Sequence, residues 1–303
     1  MTLKIVFLGT SSGVPTKDRN LPSVFLMYNK DRLLFDCGEG TQRQLMSLKL
    51  KFMKIDRIFI SHWHADHFAG LLGLVQTMCL EGRKEKLFVY GPKDSSKLVE
   101  QLLGVGYYYR GFEVAVEEVK EGDVIDCGEY ELIPFKVEHG IPALGFVFHE
   151  KDRLSANMKK AEKFGLTTSP LIGKLKNGET VTHNGKTIKP EDIIESKKGR
   201  KVVYTGDTKY TENIVRFSKG ADALIIDSTF AADFEEKAGS YKHSTSKQSA
   251  EIAKKANVKT LFLTHISRRY QEKGLSEEKL EEDARKIFKN VVLARDFLEF
   301  DVK

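Results

Sequence analysis

Residues 1–150 hold short apolar runs bounded by polar and turn residues, a pattern that predicts strands more often than helices. Lys4–Leu8, Val24–Tyr28 and Leu33–Phe35 are β-rich runs parted by turn residues, and Arg57–Ile60 predicts a further strand. That strand runs straight into Ser61-His-Trp-His-Ala-Asp-His67. Phe68, Leu71, Leu72, Leu74 and Val75 then recur at spacings of three and four, the period of an amphipathic helix. Strands are expected again at Leu87–Tyr90, Val114–Val119, Glu131–Val137 and Leu144–Phe148. Beyond residue 200 come strands at Val202–Tyr204, Ala223–Ile226 and Leu261–Leu263, and helices at Ser246–Ala256 and Glu277–Phe288. Strands and helices thus recur in two halves.

Residues 151–200 break this rhythm. A charged stretch, Leu154–Phe164, predicts a helix, followed by turns at Gly165, Ser169-Pro170 and Gly173. Leu175–Ile188 carries Asn177-Gly178 and Asn184-Gly185, both hairpin-type turn signals. No flexible Gly/Ser linker flanks the segment, so an appendage inserted into one domain of residues 1–303 is expected, not a second domain. Charge singles out the same place. The 303 residues hold 49 Lys and Arg against 43 Asp and Glu, a net charge of +6. Residues 151–200 contain twelve basic and six acidic side chains, leaving 37 of each sign elsewhere. A basic excess confined to one segment points to a polyanionic partner such as nucleic acid; a solvated lysine-rich insertion is the plainer alternative.

Composition excludes several classes. Apolar residues make up 41% and charged residues 30%, which is neither disordered nor fibrous. No apolar run approaches the ~20 residues of a membrane span. Met1–Leu8 reads directly into a strand, without the shape of a signal peptide. Cys37, Cys79 and Cys127 are odd in number and widely spaced, which argues against a disulfide framework and for a reducing cytoplasm.

The strongest chemical signal is His62-Trp63-His64-Ala65-Asp66-His67. Three imidazoles and a carboxylate at a strand-to-helix junction gather nitrogen and oxygen donors around one point, the donor set zinc prefers. Only eight histidines occur in the chain, so three within six residues are hardly fortuitous.

This HxHxDH pattern resembles the metallo-β-lactamase superfamily, which implies an α/β fold, an αββα sandwich of two β-sheets flanked by helices. The resemblance implies further ligands downstream at strand ends: His139, Asp207 in Tyr204-Thr-Gly-Asp-Thr208, and His265. Carried over, His62, His64 and His139 bind one zinc, Asp66, His67 and His265 a second, and Asp207 bridges the two. A pair of ions ~3.5–4 Å apart activates water and neutralises phosphoryl oxygens. Asp36, in Phe35-Asp-Cys-Gly-Glu-Gly40, is expected to orient a histidine ligand or else to cap a turn.

Other stretches are similar to the ribonuclease Z family, endoribonucleases that trim tRNA 3′ trailers. Phe7-Leu-Gly-Thr-Ser-Ser-Gly13 and Asp36-Cys-Gly-Glu-Gly-Thr-Gln42 match its amino-terminal blocks, and Pro15-Thr-Lys-Asp-Arg-Asn20 its PxKxRN loop. His243-Ser-Thr245 matches its HxT motif, and Thr264-His-Ile-Ser-Arg-Arg-Tyr270 its last metal block. The insertion at 151–200 lies where that family carries a flexible tRNA-binding arm. Two departures stand out: Ser169-Pro170 replaces a frequent Gly-Pro pair, and Asp227 stands where bacterial-type members carry Glu.

The resemblance implies a zinc enzyme acting on precursor tRNA in the cytoplasm as a homodimer, leaving a 3′-hydroxyl on the tRNA and a 5′-phosphate on the trailer. His243 would protonate the departing 3′-oxygen, Asp227 would orient it, and Asp66 would accept a proton. Lys17 and Arg19 would act in rejecting tRNA that already ends in CCA. Lys159, Lys160, Lys174 and Lys176 would touch tRNA from the arm, and Arg269 would contact phosphate. Thr10-Ser-Ser-Gly13 lacks a P-loop's ending and is expected to be a tight turn near the metal site. Tyr107-Tyr-Tyr-Arg110 could stack on bases, although buried aromatics are expected there. The competing readings are a thioester or lactam hydrolase of the same fold and a catalytically dead RNA-binding protein. A small substrate needs no basic arm, and a dead copy would be expected to lose ligands.

Overall fold

Two seven-stranded sheets stack face to face in a computed structural model that describes residues 2–167, 169–272 and 274–303. The first sheet runs Glu299–Asp301, Leu3–Gly9, Ser23–Tyr28, Asp31–Phe35, Ile55–Phe59, Leu87–Gly91, Val114–Glu118 from edge to edge. The second runs Val291–Leu293, Thr260–Thr264, Ala223–Asp227, Lys201–Tyr204, Leu144–Glu150, Tyr130–Lys136, Ile125–Asp126. Each sheet is antiparallel over part of its width and parallel over the rest. The parallel portions are joined by helices, as parallel pairing requires.

The facing surfaces of the sheets bury an aromatic core. Phe35 and Phe59 of the first sheet meet Phe146 of the second at ring-centroid distances of 6.2 and 5.3 Å, and Phe7 meets Phe262 at 5.3 Å. Helix Leu71–Leu80 covers the outer face of the first sheet through Leu71, Leu74, Val75 and Met78. Helices Ser246–Ala256 and Glu278–Arg285 cover the second through Ala250, Ile252, Ala253 and Leu280. The result is the αββα sandwich of the metallo-β-lactamase fold. Among the described residues, no helix is long and apolar enough to cross a membrane.

Residues 151–199 leave the second sheet after Leu144–Glu150 and return to it at Lys201–Tyr204. They carry their own apolar cluster of Ala161, Leu166, Leu175, Val181, Ile188 and Ile193. The expected helix over Leu154–Phe164 is corrected: Arg153–Ala156 is a strand paired with Ile194–Lys197, and only Met158–Lys163 is helical. Asn157 sets that start by accepting a hydrogen bond from Lys160 N at 3.2 Å, as an N-cap does. Of the two hairpin signals only Asn184-Gly185 turns a hairpin, between Val181–His183 and Lys186–Ile188. Asn177-Gly178 instead ends the helix Leu171–Lys176. A further correction concerns Tyr107 and Tyr109, which are fully exposed and not buried.

Candidate metal centre

Both sheets present their strand ends at one rim, and the histidines and aspartates of the sequence motif lie there. Strand Ile55–Phe59 leads into His62 and His64, and the short helix Ala65–Phe68 that follows carries Asp66 and His67. From the second sheet come His139 after Tyr130–Lys136, Asp207 after Lys201–Tyr204, Asp227 at the end of its strand, and His265 after Thr260–Thr264. An isolated bridge from His62 to Ala143 ties the two sheets together at this point.

His62, His64, His139 and Asp207 form one cluster, and Asp66, His67, Asp207 and His265 a second that shares Asp207. In the first, His64 Nδ1 stands 3.0 Å from His62 Nε2 and 3.1 Å from His139 Nε2, and His62 Nε2 stands 3.7 Å from Asp207 Oδ2. In the second, Asp207 Oδ1 lies 3.3 Å from His67 Nε2 and 3.2 Å from His265 Nε2; both nitrogens are 3.5 Å from Asp66 Oδ2. Donors on a tetrahedral zinc with ~2.0–2.1 Å bonds stand roughly 3.3 Å apart, so both clusters have the spacing of a coordination shell. His67 Nε2 and Asp207 Oδ1 are buried without a hydrogen-bond partner. Buried polar atoms left without hydrogen bonds are costly unless something fills the space between them. The residues fit metal ions.

The rings are held from behind. His67 Nδ1 donates to Asp36 Oδ2 at 2.7 Å, and His62 Nδ1 meets Ser61 Oγ at 3.0 Å. His139 Nδ1 donates to the Lys242 carbonyl at 3.1 Å, and His265 Nδ1 contacts Thr229 Oγ1 at 2.9 Å. Each contact leaves Nε2 free to ligate, the usual device for fixing the tautomer of a metal-binding imidazole. Asp36 also accepts from Ser61 N, Ser61 Oγ and Tyr204 OH at 2.7, 2.8 and 2.5 Å. Asp36 and His265 adopt left-handed backbone, with φ of 56° and 61°, a strain that such sites can retain. Gly206 is also left-handed, and any Cβ there would come within 2.6 Å of Ser61 Cβ, so only glycine lets Asp207 approach the histidines.

Charge follows the geometry. Burial, then the neighbouring His67, hold His62 well below its usual value, and burial with His139 lowers His64. Burial would lower His265 as well, but Asp207, Asp227 and Asp66 lift it to about 10. His67 is likewise held well above the ordinary imidazole range against its burial, by Asp207 and Asp36. Asp66, Asp207 and Asp227 lie far below the usual carboxylate range because the histidines outweigh their burial. The pocket thus concentrates buried negative charge that demands cations, either protons on imidazoles or metal ions.

Beside the clusters, His243 Nδ1 donates to Asp227 Oδ2 at 2.7 Å, and its ring stacks 5.2 Å from His265 and lies 5.3 Å from His139. Asp227 is fixed by Thr229 N and Oγ1 and by Thr208 N. The Thr10–Gly13 segment reaches the site as expected, with Gly13 N donating to Asp66 Oδ2 at 3.0 Å, but Ser11–Ser12 is a short strand paired with Ile266–Ser267 and not a tight turn.

One expected RNA contact requires correction. Arg19 is 2% exposed: its guanidinium donates twice to Glu277, at 2.8 and 2.9 Å, and also to Thr10 Oγ1 and the Ala294 carbonyl. That charge is spent inside the protein; Lys17, two residues before, is exposed. Arg269 lies over the rings of Phe230 and Phe234 at 4.6 and 5.3 Å. In the arm, Lys159, Lys160, Lys174 and Lys176 are exposed, but Lys160 pairs with Glu195 at 2.8 Å. Ser61, Tyr204, Thr229 and the Lys242 carbonyl were missed from the sequence. Only Ser61, adjoining the motif, carried any local signal.

The family model for the anti-Pycsar protein Apyc1 matches residues 3–168, and that for the β-lactamase superfamily domain matches residues 192–266. A protein named ribonuclease Z from Archaeoglobus fulgidus is 42% identical over 306 residues, covering 100% of this chain and 98% of its own length. The ribonuclease Z of Bacillus licheniformis is 42% identical, covering 99% of both chains. The crystal structure of human tRNase Z, short form, superposes with a TM-score of 0.71 at 25% identity over 99% of each chain. The metallo-β-lactamase fold protein YhfI from Bacillus subtilis shares the fold, at a TM-score of 0.72 and 20% identity over 99% of each chain.

Proposed function

The chain belongs to the ribonuclease Z family, with a first half that also falls in the Apyc1 family, and on that premise we propose a zinc-dependent endoribonuclease that removes 3′ trailers from precursor tRNA. Cleavage leaves a 3′-hydroxyl on the tRNA and a 5′-phosphate on the trailer. The observation that carries this reading is the pair of clusters sharing Asp207, with His67 Nε2 and Asp207 Oδ1 buried between them without a hydrogen bond.

His62, His64 and His139 would hold one ion, Asp66, His67 and His265 the other, with Asp207 between them. When bound, two zinc ions lower the pKa of water towards ~7 and offset the charge building on the phosphoryl oxygens. Asp66 accepts a proton from the attacking water, and the Gly13 N–H holds its carboxylate in place. On the far side of the phosphorus the 3′-oxygen departs with a full negative charge unless it is protonated. His243 supplies that proton. Its Nδ1–H is committed to Asp227, which leaves Nε2 for the substrate, and the same carboxylate raises its affinity for a proton against burial.

In this reading residues 1–303 are one domain, and the segment at about 151–200 docks tRNA through Lys159, Lys174 and Lys176, with Lys160 contributing less because of Glu195. Lys17 acts at the PxKxRN loop; Arg19 anchors it. Two copies of the chain act together, on the strength of family membership. The cytoplasm is the setting, consistent with three free cysteines.

Incubating the zinc-loaded protein with a precursor tRNA bearing a 3′ trailer, and mapping both new ends, tests the reading. Ends of the stated chemistry are expected where the trailer begins, just beyond the 3′ end of the acceptor stem. Hydrolysis of a thioester with no cut in the RNA would overturn it.

A further inference from the structure

A groove of about 660 Å³ opens beside the metal centre, and nothing in the chemistry above uses it. Its wall nearest the clusters is His139, whose Nε2 faces His64 Nδ1 at 3.1 Å. Its floor is apolar and includes Ile141 and Pro142, on the loop that follows His139. That loop is fixed to the metal-binding motif, since Leu144 N donates to the Ser61 carbonyl at 2.9 Å. The groove is therefore continuous with the site.

Its rim is cationic. Lys93, Lys120 and Lys136 come from three different strand ends and are all exposed. Two acids also line the groove, but both are engaged elsewhere. Glu138 pairs with Lys209 at 2.6 Å, and Glu121 accepts from Arg216, from Asn213 Nδ2 and from Lys136 N. None of the three lysine ammonium groups has an ion-pair partner among the described residues. Three uncommitted cations around an apolar floor match single-stranded nucleic acid, whose phosphates seek charge while its bases seek apolar surface.

We infer that this groove is a subsite for unpaired RNA adjoining the scissile phosphate. Lys93, Lys120 and Lys136 hold the phosphates of one leg of the strand, and Ile141 and Pro142 carry its bases. The inference rests on the endoribonuclease reading and adds a second basic surface, independent of the arm.

The probe is hexauridylate, tested as an inhibitor of bis(4-nitrophenyl) phosphate hydrolysis by the zinc-loaded full-length protein. The triple variant Lys93→Ala, Lys120→Ala, Lys136→Ala is expected to need at least tenfold more hexauridylate for equal inhibition. The salt dependence of that inhibition should flatten by about 2 in log–log slope, at ~0.7 for each single-strand phosphate released. Ile141→Asp, which sets a carboxylate on the floor, should weaken inhibition without removing a lysine. Both variants should raise KM for precursor tRNA more than they lower kcat. Unaltered turnover of the nitrophenyl ester shows that the metal site is intact in each. Unchanged inhibition and KM in both variants would overturn the subsite. A wild-type protein that cuts no precursor tRNA, yet binds hexauridylate through these lysines, would leave the groove standing and remove the proposed substrate.

Discussion

Glu150 and Arg200 close the root of the inserted segment as a buried ion pair. Glu150 Oε2 accepts from Arg200 Nε at 2.7 Å and Oε1 from Arg200 Nη2 at 3.1 Å, with side chains only 4% and 14% exposed. The backbones agree, with Glu150 N donating to the Arg200 carbonyl at 2.9 Å. Beside them, a Cβ on Gly199 would stand 1.5 Å from the Glu150 carbonyl oxygen, which leaves no room for a side chain. The chain thus enters and leaves the arm through a neck held by charge and by close approach.

Removing one partner strands the other. Arg200→Met should therefore cost about 3–5 kcal/mol of stability, the usual scale for breaking a buried pair, measured by urea unfolding at neutral pH. Burial pushes the Glu150 carboxyl up, but Arg200 brings it below its usual value. A carboxylate lowered in the folded state stabilises fully above its unfolded pKa of ~4.3, and that contribution fades as pH falls through the folded pKa. The stability gap between wild type and Glu150→Gln should narrow on acidification. A gap independent of pH would mean that charge does not hold the neck.

His243 offers a second test. His243→Ala should leave zinc content intact while slowing single-turnover cleavage of precursor tRNA by ~10²–10⁴-fold, the scale of a missing general acid. A nitrophenyl phosphodiester, whose leaving group needs no proton, should suffer far less. Equal losses on the two substrates would remove His243 from the acid role.

Local signals made much of this molecule legible in advance. The helix Ser246–Ala256 was readable to the residue because Thr245 and Gln248 form a capping box and Asn257 ends it in left-handed backbone. The HxHxDH run needed no partner to be recognised. Features that depend on distant pairing were not readable. Leu154–Ala156 reads as the start of a helix until Ile194–Lys197 arrives as its strand partner. Arg19 looks like a free loop charge because Glu277, which buries it, lies 258 residues away. Tyr204, 168 residues from Asp36, gave no hint that its hydroxyl orients a histidine's partner.

The buried position of Arg19 separates it from Lys17. Arg19→Ala should lower stability by about 3 kcal/mol, since Glu277 loses both hydrogen bonds from Arg19 and the loop loses its anchor. Lys17→Ala should leave the melting temperature unchanged and act only on RNA, as weaker rejection of tRNA that already ends in CCA. If Lys17→Ala changes neither RNA selection nor affinity, the loop is a structural strap.

Metal removal should be visible without any substrate. With no ion between them, the carboxylates of Asp66 and Asp207 are crowded into one buried cluster, and His67 Nε2 and Asp207 Oδ1 lack hydrogen bonds. Chelation should therefore lower the melting temperature, and zinc should restore it, because an ion that binds only the folded chain stabilises in proportion to the logarithm of its concentration. His64→Ala should abolish hydrolysis and reduce bound zinc, having removed one donor from the first cluster. Retention of two zinc ions with full activity would sink the ligand assignment.

The arm should act on binding and not on bond breaking. Its lysines sit on the outer sides of helices Met158–Lys163 and Leu171–Lys176, whose inner sides bury Ala161 and Leu175 in the arm's own cluster, so neutralising them leaves the fold intact. Lys159, Lys174 and Lys176 have no ion-pair partner among the described residues, whereas Lys160 spends part of its charge on Glu195. Changing the first three to alanine should weaken precursor tRNA binding and flatten its salt dependence by roughly one unit of log–log slope for each phosphate no longer held. Adding Lys160→Ala should deepen the effect by less than any one of the others. Hydrolysis of the nitrophenyl phosphodiester should be untouched, because that substrate is too small to reach the arm. If tRNA affinity and its salt slope survive all four changes, the basic excess of residues 151–200 is only a solvated surface, and the docking charge must lie on the body of the protein.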